Sequence, residues 1–115
     1  MSKSEGPQTL RRLVLEDPQR ISDGAGGYRE SWAPLGLLWG TLKSQTGRTA
    51  GQEGGSLSLQ RYRITLRATP QGSQSRPRPG QRFRQDQRFF RIVAVGEADP
   101  AGRYLTCQCI EELAQ

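Results

Sequence analysis

At 115 residues, 33% of them hydrophobic and with 14 Gly and 7 Pro, the chain has room for one small domain, a modest core and long polar loops. Its formal net charge is +6 and it has no histidine, so no serine or cysteine has an evident base for nucleophilic catalysis. No apolar run approaches the ~20 residues of a membrane span. The opening MSKSEGPQ lacks the apolar stretch of a signal peptide, so the expectation is a cytoplasmically made protein with no membrane partner.

Residues 1–9 are polar and read as a disordered tail, which leaves 10–115 as a single domain. LRRLVLE (10–16) reads as a first strand. DPQRISDGAGG (17–27) holds Pro18 and three glycines, and reads as a loop ending in a turn. YRESWAPLGLLWGTLK (28–43) is the longest aromatic and apolar stretch. Tyr28, Glu30 and Trp32 share one face there. Leu37, Trp39 and Thr41 then face one way, and Leu38, Gly40 and Leu42 the other. Pro34 divides the stretch, which predicts two strand segments joined by a kink.

SQTGRTAGQEGGSLSLQ (44–60) is polar and glycine-rich and cannot pack alone. RYRITLRA (61–68) alternates cleanly, with Tyr62, Ile64, Leu66 and Ala68 opposite Arg61, Arg63, Thr65 and Arg67. That is a half-buried strand with a wet, basic outer face. TPQGSQSRPRPGQ (69–81) is a Pro/Gly loop with polyproline character. RFRQDQRFFRIVAVGE (82–97) reads as a hairpin turning at Gln85-Asp86-Gln87. ADPAG (98–102) is a turn, and RYLTCQCIEEL (103–113) is a last strand with Leu105, Cys107 and Cys109 on one face. The expectation is an all-β chain of five to seven antiparallel strands, a small barrel or sandwich. At most one short helix is expected, within 45–60 or at the C-terminal end. Trp32, Trp39, Phe89 and Ile92 are the candidate core residues, with Tyr28 beside Trp32.

Charge is unevenly placed. Among the 17 basic residues only Lys3 and Lys43 are lysines, and no acidic residue falls between Gly54 and Gln85. Arginine suits planar, bidentate contacts to phosphate or carboxylate; it is also what a GC-rich genome encodes. Cys107 and Cys109, two apart in one strand, sit about 6.5–7 Å apart, which suits packing thiols rather than a disulfide. Without a second pair or a histidine they make no zinc site. GQEGG does not fit a phosphate-binding loop, and no metal or cofactor is expected. Two function classes remain: a small basic barrel that binds nucleic acid, and a structural module that meets its neighbours through its loops. In the first class, bases would stack on exposed aromatics in a charged groove.

The order of motifs resembles the phage head–tail joining (head-closure, or stopper) family over about Leu10 to Leu113. LRRLVLE resembles that family's first strand. DGAGGYRESW resembles its Asp/Gly turn before a strand ending in Trp, and LLWGTLKSQTGRTA resembles its next strand. RYRITLRA resembles the basic third strand, PRPGQRFRQDQRFFRIVAV the turn into a Phe-then-Ile strand, and DPAGRYLTCQCIEE the closing strand. Many relatives carry a Glu/Ala-rich helical segment where this chain has GRTAGQEGGS.

The resemblance implies a β-barrel protomer in a six- or twelve-fold homo-oligomeric ring. The ring would lie below the portal and adaptor of a phage or gene transfer agent head and above the tail terminator or tube. It would retain packaged double-stranded DNA without reading sequence and dock the tail. On this reading the loop 44–60 is the lumen-facing element, with Lys43, Arg48 and Arg61 near DNA phosphates. Arg76 and Arg78 of the Pro-rich loop are candidate docking residues toward a neighbouring ring.

Overall fold

The computed structural model describes residues 9–45 and 60–112. Six strands form one antiparallel sheet: β1 (Arg11–Ser22), β2 (Tyr28–Ser44), β3 (Gln60–Arg67), β4 (Arg82–Gln85), β5 (Arg88–Glu97) and β6 (Tyr104–Glu112). Their spatial order is β1-β2-β3-β6-β5-β4, and β4 pairs back onto β1 to close a barrel. No helix occurs among the described residues. The expected short helix falls almost wholly on segments outside them.

A six-stranded barrel has an interior that side chains fill. Here period-2 alternation supplies those side chains: Leu13 and Leu15 from β1, Ile64 and Leu66 from β3, and Phe83 from β4. Phe90 and Ile92 come from β5, and Leu105, Cys107 and Cys109 from β6. From β2, Leu38 and Leu42 pack against this cluster. Gly40 lies between them because a Cβ there would sit 2.9 Å from the Thr65 carbonyl oxygen; β2 and β3 meet too closely for any side chain.

Three of the four expected core residues lie elsewhere. Trp39 is 53% exposed, because Leu38 and Gly40 take the inward parity of β2 and turn residue 39 outward. In β5, Phe90 pairs with Phe83 inside the barrel, so the adjacent Phe89 points out and is half-buried. Trp32 is half-buried on the outer surface. Tyr28 is 63% exposed and plugs nothing.

β1 does not stop at Glu16. It continues to Ser22, still paired with β2, so the segment expected to be a loop is half of a long hairpin. β2 likewise runs unbroken through Pro34, with the irregularity absorbed by a bulge at Leu35. Pro18 and Pro34 fit because each lies where its strand has a single neighbour: β4 reaches only Glu16, and β3 begins pairing at Gly40. The result is a two-stranded arm, Asp17–Ser22 against Tyr28–Ala33, that leaves the barrel.

Candidate functional site

Two groups of cations stand out on the barrel. Arg82 and Arg84 hold Glu16 at 2.7 and 3.0 Å, Arg88 holds Glu111 at 2.8 Å, and Arg91 holds Glu112 at 2.7 Å. Arg88 also donates to the Tyr62 hydroxyl at 3.1 Å and closes the barrel end beside Phe90. The Glu111 carboxylate raises the Arg88 guanidinium pKa above its already high value, so this pair stays ionised throughout the physiological range.

The second group has no acidic partner among the described residues. Lys43 and Arg63 stand directly opposite each other on β2 and β3. Arg61 lies on the same outer face two residues along, where its carbonyl oxygen accepts from the Gln45 N–H at 2.8 Å. Like charges placed opposite one another on a sheet repel, so a patch of this kind favours an external anion. It sits where β2 ends and β3 begins. Of the expected lumen residues, Lys43 and Arg61 thus share one face, and Arg63 joins them. Arg48 lies outside the described residues.

The arm is fixed at its base and ordered at its tip. Arg82 stacks between the rings of Trp32 and Phe89 at 4.1 and 4.2 Å while its Nε donates to Glu16, which is 6% exposed. Buried Gln81 donates to Asp17 at 2.9 Å. At the tip, the Asp23 carboxylate accepts from the N–H groups of Ala25 and Gly27 at 2.8 and 3.0 Å. Those bonds lower its pKa. Gly24 and Gly26 take positive φ there, which side chains resist. Arg20 covers one face of Tyr28 at 4.5 Å.

The loop 69–81 is a run of tight turns docked on the barrel, not a free extension. Gly80 donates to the Ile92 carbonyl and Ile92 donates to that of Gln81. Pro77 is buried. Arg76 is occupied in holding this loop, donating from a guanidinium nitrogen to the Thr69 carbonyl at 2.7 Å. Arg78 is exposed. Both line one cleft, with Asp17, Leu35 and Gln74.

A third feature was hidden by the periodicity. Leu10, Leu37, Trp39 and Tyr104 are 59, 50, 53 and 41% exposed and line one groove of about 470 Å³ with Thr41, Thr65 and Arg67. Arg67 lies over the Tyr104 ring at 5.7 Å.

A phage head completion protein family matches residues 6–112 of the sequence. The chain belongs to that family. A chain from the virion of a native gene transfer agent particle is similar to it, at 40% identity and a TM-score of 0.74, over 96% of this chain and 100% of that one. The solution structure of protein SF1141 from Shigella flexneri 2a is similar in fold, at 19% identity and a TM-score of 0.63, over 91% of this chain and 94% of that one. No curated protein sequence matches the chain.

As a head completion protein, the chain is a structural component of a phage-type particle. Its functional surfaces are therefore surfaces of assembly. Sequence reasoning named Lys43 and Arg61 and put Arg63 on the same basic face as Arg61; the β2–β3 register adds that Arg63 stands opposite Lys43. It missed the Glu16–Arg82 anchor. The signal for that anchor was a lone acid at the end of LRRLVLE facing the arginines of RFR, but pairing β1 with β4 requires knowing that the barrel closes.

Proposed function

We propose that this head completion protein forms a homo-oligomeric ring, six- or twelve-fold, at the head–tail joint. The ring sits below the portal or adaptor and above the tail terminator or tube. It closes the DNA-filled capsid and gives the tail its docking surface. The observation that carries this reading is the Lys43–Arg63 pair with Arg61 beside it, a cationic face without an acidic partner among the described residues. Within a particle component, the anion available to such a face is the phosphate backbone of packaged DNA, met without base readout. In the sequence, GRTAGQEGGS lies between β2 and β3.

The test is DNA retention in particles carrying Lys43→Gln, Arg61→Gln and Arg63→Gln together. These outer-face changes leave the core untouched. The expected result is incorporation of the variant with a raised fraction of DNA-empty heads. Full incorporation with unchanged retention would remove this face from the lumen.

A further inference from the structure

The arm and the Trp39–Tyr104 groove are two unpartnered surfaces on one chain, and they differ in kind. The arm is a projection. A bare two-stranded ribbon is marginal in water, yet this one is clamped at its base by Arg82 and Gln81 and held at its tip by Asp23. Such preorganisation lowers the entropy cost of binding. Near the tip Tyr28 is 63% exposed on one face of the ribbon and Ile21 is 42% exposed on the other. The groove is a recess. Its walls are apolar and aromatic, it carries Arg67, and Arg12 stands directly across from Trp39 on β1. Among the described residues no acidic side chain lines it.

The two surfaces are also opposite in charge. The arm, Asp17 to Ala33, holds three acids against two bases, in a chain whose net charge is +6. Asp23, at the tip, is held as a carboxylate by its backbone bonds. A chain cannot fill its own groove. Tyr28 and Leu37 lie on the same strand, nine residues apart, which at about 3.3 Å per residue separates them by roughly 30 Å.

We propose that the arm tip of one copy, led by Tyr28, seats in the Leu10–Leu37–Trp39–Tyr104 groove of the next copy. Asp23 then faces Arg12 and Arg67. The contact joins two different patches, so it is head-to-tail, the kind of contact that builds a ring when the rotation between copies closes. This deepens the ring reading above and rests on it.

The test uses particles carrying the chain with Ala25→Cys and Thr41→Cys, treated with a short bifunctional maleimide and run on a denaturing gel. Both changes are small and leave Tyr28 and Trp39 in place. The native Cys107 and Cys109 are at most 1% exposed, so the new thiols are those the reagent reaches. The expected result is a ladder beyond dimer from the double variant and none from either single variant. A dimer from Ala25→Cys alone would show tip against tip and overturn the head-to-tail contact. A product joined to a protein of another mass would give the surface to a different partner. Several copies per particle with no ladder would also overturn the arm contact while leaving the ring standing. A single copy per particle, or none, would instead defeat the ring reading itself. Lys43→Cys with Ala25→Cys serves as a second pair: Lys43 lies outside the groove, so a ladder there but not with Thr41→Cys places the tip elsewhere.

Discussion

The guanidinium carbon of Arg82 sits 4.1 Å from the centre of the Trp32 ring, and that contact ties the arm to the barrel. Phe89 covers the other face of the same guanidinium, and Glu16 takes its Nε. An arginine held by two rings and a nearly buried carboxylate is fixed in direction, and it fixes the direction of the strand that carries Trp32.

Removing the ring costs the stack alone. Trp32→Ala is expected to lower stability by about 1–2 kcal/mol, the scale of a partly desolvated cation–π contact plus lost packing. Arg82→Met should cost more, roughly 2–4 kcal/mol, because Glu16 then keeps a single partner in a buried position. Urea midpoints check both. Amide exchange at Gln19 and Ser31, a register pair of the arm, should quicken in each variant by more than exchange at Ile64 does. Uniform changes along the chain would mean that the stack stabilises the barrel rather than aiming the arm.

Two glycines should respond oppositely to one methyl group. At Gly40 a Cβ would meet the Thr65 carbonyl oxygen at 2.9 Å and Ile64 Cγ2 at 3.3 Å. Gly40→Ala should therefore separate β2 from β3 and cost about 1–3 kcal/mol or more. At Gly96 nothing lies within 4 Å, and Gly96→Ala should be neutral or stabilising by up to about 1 kcal/mol. Thermal melts of the two variants should move apart. A Gly40→Ala protein as stable as the parent would contradict the close approach.

The fold was largely legible, and the reasons differ by element. RYRITLRA and RYLTCQCIEE alternate cleanly, so β3 and β6 and their buried faces followed from period 2 alone. RFFRIV offered two adjacent phenylalanines, and only pairing with Phe83 selects Phe90 as the inward one. In β2 the tryptophans drew the expectation of a core, but parity there is set by Gly40, whose inward place comes from a neighbour's backbone. Pro18 and Pro34 read as breakers because sequence does not show which strand edges are free. The cationic face was half visible: period 2 put Arg61 and Arg63 together and Lys43 was named, while the pairing of Lys43 with Arg63 needed the β2–β3 register.

The Lys43–Arg63 face offers a prediction in which stability and function part. Lys43→Glu would place an acid opposite Arg63 and replace repulsion with attraction across the strand pair. The isolated protein should gain about 0.2–1 kcal/mol. Particles built from it should hold DNA less well, since a phosphate-facing cation has become an anion. Calorimetry and a nuclease-protection assay on the same variant check the two halves. A stability gain with intact DNA protection would show the face to be merely solvated.

The cysteines should behave as packing groups with an alkaline signature. Burial pushes the Cys107 thiol up to about 12 and raises Cys109 as well, with the neighbouring thiol adding to the effect. Unfolded, each ionises near its ordinary value of 9. Their contribution is therefore fully present below pH 9 and is lost as the pH rises from there toward the folded value. The stability difference between the parent and a Cys107→Val, Cys109→Val variant should shrink or reverse from pH 9 to pH 11. Thiol reagents at pH 8 should label the native chain only as fast as it unfolds. Rapid labelling of the folded protein would place these thiols outside the core.

The central claim is a place at the joint between head and tail, and electron microscopy of particles from a strain lacking the chain tests it most directly. The account predicts tailless heads beside free tails, with DNA-empty heads among them. Normal tailed particles filled with DNA would contradict it.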